Sequence, residues 1–260
     1  MSTDIYWFSG SGNSLYLAKR IYEKLNDARL LPVSKAVNES IEKPDRLGLV
    51  FPVYAWGPPR IVAEFIEKIP PGKIDYTFAA ATFGSAAGST MAITRRLLGK
   101  KGIELDSAFT VKMVENYPPM GGAPSSKKQK ANLEAAEPVI EDIAKAVADG
   151  RRETGGRGNI FFNLMGKVVY PLFIRGLSKR KKSKFSIDDS CSSCGICAKI
   201  CPADNITIGD GGRPIWGTRC EQCFACFHWC PEKAVQYGKK TRDQVRYHHP
   251  EVRLEEMLPE

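Results

Sequence analysis

Cysteine is missing from the first 190 residues of this 260-residue chain. The longer, N-terminal part therefore has no disulfide framework and must fold on an apolar core, for which its length is sufficient. No run of about twenty apolar residues occurs, which argues against a spanning helix. The opening Met1-Ser2-Thr3-Asp4 passes directly into Ile5-Tyr6-Trp7-Phe8, without the basic region and long apolar core of a secretory signal. Acidic residues are nearly absent from 151–187, where Glu153 stands alone against ten Lys or Arg. That segment carries +9, the formal net charge of the whole chain. The basic character is thus local, which argues against a nucleic-acid partner.

What is present begins with the eight cysteines, all between 191 and 230. Cys191, Cys194, Cys197 and Cys201 read C-x2-C-x2-C-x3-C, followed by Pro202. Cys220, Cys223, Cys226 and Cys230 repeat the spacing, followed by Pro231. Disulfide staples and Zn sites also use cysteines, but neither predicts a duplicated four-cysteine run ending in proline. The spacing predicts two [4Fe–4S] clusters, the fourth cysteine of each run serving the other cluster, and hence one-electron transfer. Thiolate-bound clusters need a reducing compartment, so a cytoplasmic location is expected.

The first 150 residues alternate short apolar runs with helical patterns. Strands are predicted at 4–8, 29–33, 47–53, 76–82 and 107–113, and helices at 13–25, 35–42, 59–69, 88–100 and 126–148. The last helix places Leu133, Ala136, Ile140, Ile143 and Val147 on one stripe, with a kink expected at Pro138. Continuous apolar strands separated by helices predict a doubly wound five-stranded parallel α/β domain over 1–150. Residues 151–187 read as a basic and apolar helical linker with a glycine hinge at 155–158. A smaller α+β unit at 188–238 carries the cysteines in an internal repeat of about 29 residues. Residues 239–260 read as a loosely packed extension.

Three loops fall at strand C-terminal ends, where open α/β sheets bind ligands. The first, Ser9-Gly10-Ser11-Gly12-Asn13-Ser14, offers backbone N–H groups, hydroxyls and an amide to an anion. It lacks the Gly-Lys-Ser/Thr ending of a Walker loop and the third glycine of G-x-G-x-x-G. A hydroxyl-lined turn without lysine fits a phosphate monoester such as that of FMN, though an ordinary capped turn has the same composition. The second loop, Pro52-Val53-Tyr54-Ala55-Trp56-Gly57, supplies aromatic rings for stacking on a flavin, or merely for packing. Gly57 is a candidate for a peptide that rotates toward the flavin. The third, Thr82-Phe83-Gly84-Ser85 with Gly88, allows close backbone approach to the ring edge. No His, Cys or acid–base pair stands out near these loops, so no catalytic residue is assigned.

On these motifs residues 9–14 and the two following loops resemble a flavodoxin, and 188–238 resemble a bacterial-type two-cluster ferredoxin. The chain as a whole is similar to the fused flavodoxin–ferredoxin proteins of anaerobic microbes. The resemblance implies one cluster on Cys191, Cys194, Cys197 and Cys230, and a second on Cys220, Cys223, Cys226 and Cys201. It places His228 as packing or a hydrogen-bond donor, and Phe224, Phe227 and Trp229 as an apolar shell. Free flavodoxins and ferredoxins are acidic, so the basic charge here departs from the pattern.

The expected function is electron transfer through two clusters to or from FMN. It serves either an oxidoreductase that reduces a small molecule or a carrier between larger redox proteins. The expected partner is a ferredoxin or oxidoreductase. The basic segment reads as a linker, a surface for anionic lipid, or a dock for an acidic redox partner. Cluster and flavin could meet within one chain or across a homodimer. Residues 117–122 read as a lid over a pocket or as a plain surface loop.

Overall fold

The computed structural model describes residues 2–153, 160–179 and 183–258, excepting the side chains of 160–163. The N-terminal part runs β1 (Thr3–Trp7), α1 (Asn13–Tyr22), β2 (Ala28–Pro32), α2 (Val33–Ala36), β3 (Arg46–Pro52), α3 (Arg60–Lys68), β4 (Tyr76–Phe83), α4 (Thr90–Gly99), β5 (Ser107–Lys112) and α5 (Ser126–Ala148). Every strand pairing is parallel, in the order β2-β1-β3-β4-β5. This is the flavodoxin-like doubly wound order. The elements follow the sequence pattern closely, except that α2 is one short turn that begins before the expected 35–42 and overlaps only its start.

Burial on both faces explains why the strands read as unbroken apolar runs. Ile5 and Trp7 of β1 face the layer of α1 and α5, with Leu17, Ile21, Ile140 and Val147. Tyr6 and Phe8 face the opposite layer, with Val62, Phe65, Ile66 and Leu98. β2 is an edge strand, a place where a proline such as its Pro32 is tolerated. α5 runs through Pro138 as one helix and buries Ala136, Ile140, Ile143 and Val147.

The chain continues through α6 (Ile160–Ser178) into a small unit of β6 (Phe185–Ile187), α7 (Ile196–Lys199), β7 (Ile206–Ile208), β8 (Pro214–Trp216), α8 (Ala225–His228) and β9 (Val235–Tyr237). β6 pairs antiparallel with β9, and β7 with β8. Phe185, Phe224, Phe227 and Val235 form the unit's core. α6 lies against the sheet domain, with the Tyr170 ring on Gly57, Gly166 on Ser89 and Leu177 buried. Its other face leaves Leu164, Val168 and Leu172 exposed. The predicted hinge at 155–158 and the basic residues Arg180, Lys181 and Lys182 lie outside the described residues. Among those described, no helix is long and apolar enough to cross a membrane.

The C-terminal segment corrects the expectation of a loose extension. Tyr247, His249, Val252 and Met257 are buried, and Val252 and Met257 join the layer of α1 and α5. The His249 ring stacks on Tyr16 at 4.0 Å, and α9 (Leu254–Met257) brings Glu256 to Lys19 at 2.5 Å. The anchoring apolar residues are scattered singly among charges. They form neither period, so nothing in the pattern announces their burial.

A buried ion pair ties the two units directly. Arg60 at the start of α3 donates to Glu221 Oε1 from Nε at 2.8 Å and Nη2 at 2.6 Å, and Ile61 N–H donates to the other carboxylate oxygen. Burial raises the Glu221 pKa and Arg60 lowers it, burial being the larger effect.

Two predictions follow from these contacts. Arg60→Ala leaves a buried carboxylate unpaired and should cost about 3 kcal/mol of unfolding free energy in a denaturant titration. Burial pushes His249 down to about 4, so folding favours its neutral form. Its contribution is complete above the unfolded value of about 6.5 and falls by about 1.4 kcal/mol per pH unit below that. Thermal unfolding between about pH 6.5 and 5.5 should show that slope added to a similar one from His228, which burial also pushes down, and His249→Gln should remove about half of the total.

Candidate functional site

The cysteines ring two narrow hollows in the C-terminal unit. One is lined by Cys191, Cys194, Cys197 and Cys230, the other by Cys201, Cys220, Cys223 and Cys226. The fourth cysteine of each run therefore stands with the first three of the other. Left-handed backbone recurs at matching places around them. Ser193 and Gln222 have φ of 57° and 54°, Gly195 and Phe224 of 74° and 58°, Asp204 and Lys233 of 46° and 54°. Each pair lies 29 residues apart, so the duplication is built into the backbone as well as the cysteine spacing.

These bends turn amide groups toward sulfur. Asn205 N–H reaches Cys201 Sγ at 3.4 Å and Gln222 N–H reaches Cys220 Sγ at 3.3 Å. The Trp216 indole N–H is buried at the second hollow and acts as a hydrogen-bond donor to the Cys226 sulfur. Among the described residues no group of three or more His, Cys, Asp or Glu is arranged around one metal ion. Each hollow is lined by four thiols, the number that a cubane cluster takes.

A third cavity, of about 410 Å³, opens at the C-terminal edge of the parallel sheet. Ser9, Ser11, Asn13 and Ser14 line it from the β1–α1 loop, and Pro52, Val53, Tyr54, Ala55 and Trp56 from the loop after β3. Thr82, Phe83, Gly84 and Ser85 complete that edge after β4. Three glycines expected in this set do not line it. Gly12 packs against His249 and Val252, Gly57 lies under Tyr170, and Gly88 lies against Trp56. Gly57 also exchanges both backbone hydrogen bonds with Tyr54, at 2.9 and 3.0 Å. The peptide expected to rotate is thereby closed into a turn. Positive φ falls instead on Ala55 and Trp56, at 47° and 63°, where a side chain makes it costly by about 1–2 kcal/mol each.

Among the described residues no lysine or arginine lines the cavity, so affinity for an anion would come from backbone N–H groups and hydroxyls. Some of those groups are already engaged. Gly12 N–H donates to Ser9 Oγ at 3.0 Å, the Ser14 and Thr82 hydroxyls share a bond of 2.7 Å, and the Asn13 amide donates to the Val114 carbonyl at 3.1 Å. Asn13 thus holds the loop. The Ser11 hydroxyl accepts from Asn116 at 2.9 Å, which leaves its hydrogen able to donate inward.

The opposite wall is made by Val114, Glu115, Asn116, Tyr117 and Met120 after β5, Phe173 of α6, and Gln222, Cys223 and Phe224 of the cysteine unit. Cys223 therefore lines both this cavity and the second cysteine hollow. Of this wall, sequence reasoning raised only the 117–122 loop as a lid. Asn116, Phe173 and Gln222 are single residues outside any motif, and only the fold brings them here.

Residues 190–235 match the family of 4Fe-4S dicluster domains. A ferredoxin from Pyrobaculum islandicum is 32% identical over 60 residues, which cover 22% of this chain and 55% of the ferredoxin. The chain thus spans about half the length of the curated relative it matches. A flavodoxin from Streptococcus pneumonia aligns over 57% of this chain and 99% of its own, at 13% identity and a TM-score of 0.38. A flavodoxin from the domain Archaea aligns over 56% and 99%, at 15% identity and a TM-score of 0.37. Likenesses that faint add nothing to the strand order. The chain joins a flavodoxin-like α/β unit to a ferredoxin-like iron–sulfur unit.

The electrostatics of the iron–sulfur unit suit its cargo. Burial, and after it the neighbouring Cys201, push the Cys223 and Cys226 thiols well up. A bound cluster would supply iron to compensate the thiolate charge that the apolar setting disfavours, and loading it would expel protons from these thiols. His228 lines neither hollow. Burial pushes it down to about 3. Its Nε2–H donates to the Asn116 carbonyl at 3.0 Å and its Nδ1 accepts from Tyr247 N–H at 3.2 Å. It is a neutral strut. Burial, with Cys223 next, also raises the Tyr54 phenol and keeps it protonated in the flavodoxin-like cavity.

The contact between the units is closest at Gly10, where an added Cβ would overlap the Cys223 carbonyl oxygen. Gly10→Ala should therefore destabilise the chain by about 2–3 kcal/mol, the cost of overpacking a rigid contact. A thermal melt of purified protein checks this, and an unchanged midpoint would contradict the packing.

Proposed function

We propose that the protein is an electron-transfer flavoprotein with two [4Fe–4S] clusters and FMN, acting as an oxidoreductase on a small molecule. The observation that carries this reading is Cys223, which lines both a cysteine hollow and the cavity at the sheet edge. Cys191, Cys194, Cys197 and Cys230 would hold one cluster, and Cys201, Cys220, Cys223 and Cys226 the other. Ser9, Ser11 and Ser14 would face the FMN phosphate, with Tyr54, Trp56, Phe83 and Gly84 around the ring. When bound, the clusters supply single-electron transfer and the flavin exchanges one or two electrons.

The chain's own residues favour an enzyme over a bare carrier. Tyr117, Met120 and Phe173 add a wall beyond the three loops, enough to shelter a small acceptor from water. Contact with a protein donor is favoured at the first cluster site, where Cys194 is exposed. No cysteine of the second is exposed: Cys226 is buried, and Cys201, Cys220 and Cys223 are half-buried. That asymmetry is the specific support for the second reading, a carrier between larger proteins. It also supports a ferredoxin or oxidoreductase as partner.

Anaerobically reconstituted protein should contain about eight irons and one FMN per chain. About four irons, or no flavin, would sink the proposal. After dithionite reduction, rapid reoxidation by a small molecule supports the enzyme. Reoxidation by a redox protein alone supports the carrier.

A further inference from the structure

The β1–α1 loop is held from outside by residues remote in sequence. The Trp229 indole N–H donates to the Gly10 carbonyl at 3.0 Å, and His249 N–H donates to the Ser11 carbonyl at 2.8 Å. The Tyr247 phenol donates to Asn13 Oδ1 at 2.7 Å. His228 holds the Asn116 carbonyl, and the amide of that Asn116 donates to Ser11 Oγ. Gly12 is backed by His249 and Val252, with their Cβ atoms 3.2 Å from where its own would be. Trp229 and His228 lie between the ligand candidates Cys226 and Cys230.

Peptide geometry gives this clamp a consequence. In a trans peptide the carbonyl and the following N–H point in opposite directions, and no peptide among the described residues is cis. Fixing the Gly10 carbonyl outward on Trp229 turns Ser11 N–H away from the iron–sulfur unit. Fixing the Ser11 carbonyl on His249 does the same for Gly12 N–H, which Ser9 Oγ receives. The loop has no cation to gather a phosphate, so the direction of its N–H groups decides its affinity.

We propose that Trp229 and the segment 247–252 are positioning elements of the flavin phosphate loop, so that the phosphate site is complete only when the iron–sulfur unit is assembled. The inference rests on the FMN reading above. A unit of about fifty residues with a small aromatic core depends on its clusters for its fold. Removing them releases Trp229 and His228, and with them the outward hold on the loop. The two kinds of cofactor would then load in order, clusters before FMN.

The test separates phosphate recognition from general loosening by comparing FMN with riboflavin, which lacks the phosphate. Anaerobic fluorescence titrations of both flavins are made on cluster-loaded full-length protein, on the same protein stripped of iron by chelator, and on loaded Trp229→Phe and Tyr247→Phe. Loaded wild type should prefer FMN. Stripping should reduce that preference at least about tenfold, and Trp229→Phe by about five- to tenfold, the worth of one buried hydrogen bond. Riboflavin affinity and iron content of Trp229→Phe should stay within about twofold of wild type. Tyr247→Phe removes only the phenol that reaches Asn13, so it should lower the preference without touching the cluster spectrum. Stripped protein that keeps the wild-type preference, or a Trp229→Phe that weakens both flavins equally, overturns the inference while the FMN reading stands. Loaded wild type that binds neither flavin ends both.

Discussion

Everything in this molecule is arranged around one glycine. Gly10 has no side chain, so the backbone of Cys223 can lie directly against it, and its carbonyl is left to receive the Trp229 indole. Any larger residue would separate the flavodoxin-like loop from the iron–sulfur unit by the thickness of a side chain. That thickness is what keeps Cys223 in the cavity wall. The contact therefore fixes both the shape of the loop and the closeness of the two kinds of site.

The contact is supported by a core that belongs to neither unit alone. Ile200, Ala225 and Trp229 of the iron–sulfur unit and Val252 and Met257 of the C-terminal segment join the layer of α1 and α5. A cluster-binding unit of this size buries little apolar surface on its own. Docking onto the sheet domain supplies more, and the Arg60–Glu221 pair fixes the register of the docking. The C-terminal segment then closes the seam beside the loop, with His249 stacked on Tyr16. Its burial follows from the geometry, because an open seam would expose the Trp229–Gly10 bond to water.

Much of this was legible in the sequence because two kinds of pattern repeat. Apolar runs alternating with amphipathic stretches predict the parallel sheet, since strands buried on both faces have nowhere to place a polar residue. The cysteine spacing carries the 29-residue duplication, which reappears in paired left-handed residues such as Ser193 and Gln222. What stayed hidden depends on single residues. Phe173 reaches the cavity only because Tyr170 lies on Gly57 three residues earlier on α6. Asn116 and Gln222 belong to no motif. Gly57 fits a flexible ligand-facing turn by composition, yet its backbone is taken by Tyr54 and its open face by Tyr170. The tail misled for the same reason, its anchors being isolated apolar residues among charges.

Joining the units in one chain changes the kinetic problem. Separate carriers must meet by diffusion and dissociate after each exchange, which favours small, wet and weakly held interfaces. Here the seam is apolar and carries a buried ion pair, so the junction at Cys223 is permanent and no encounter is needed across it. Long-range charge steering, which matters for free carriers, has no use inside such a molecule. Among the described residues no lysine or arginine lines the cavity at the seam, whereas Arg175 and Lys179 are exposed beside the apolar face of α6. Part of the charge that sets this chain apart from acidic flavodoxins and ferredoxins, on Arg175 and Lys179, thus lies on an outer surface and not at the junction of the two units.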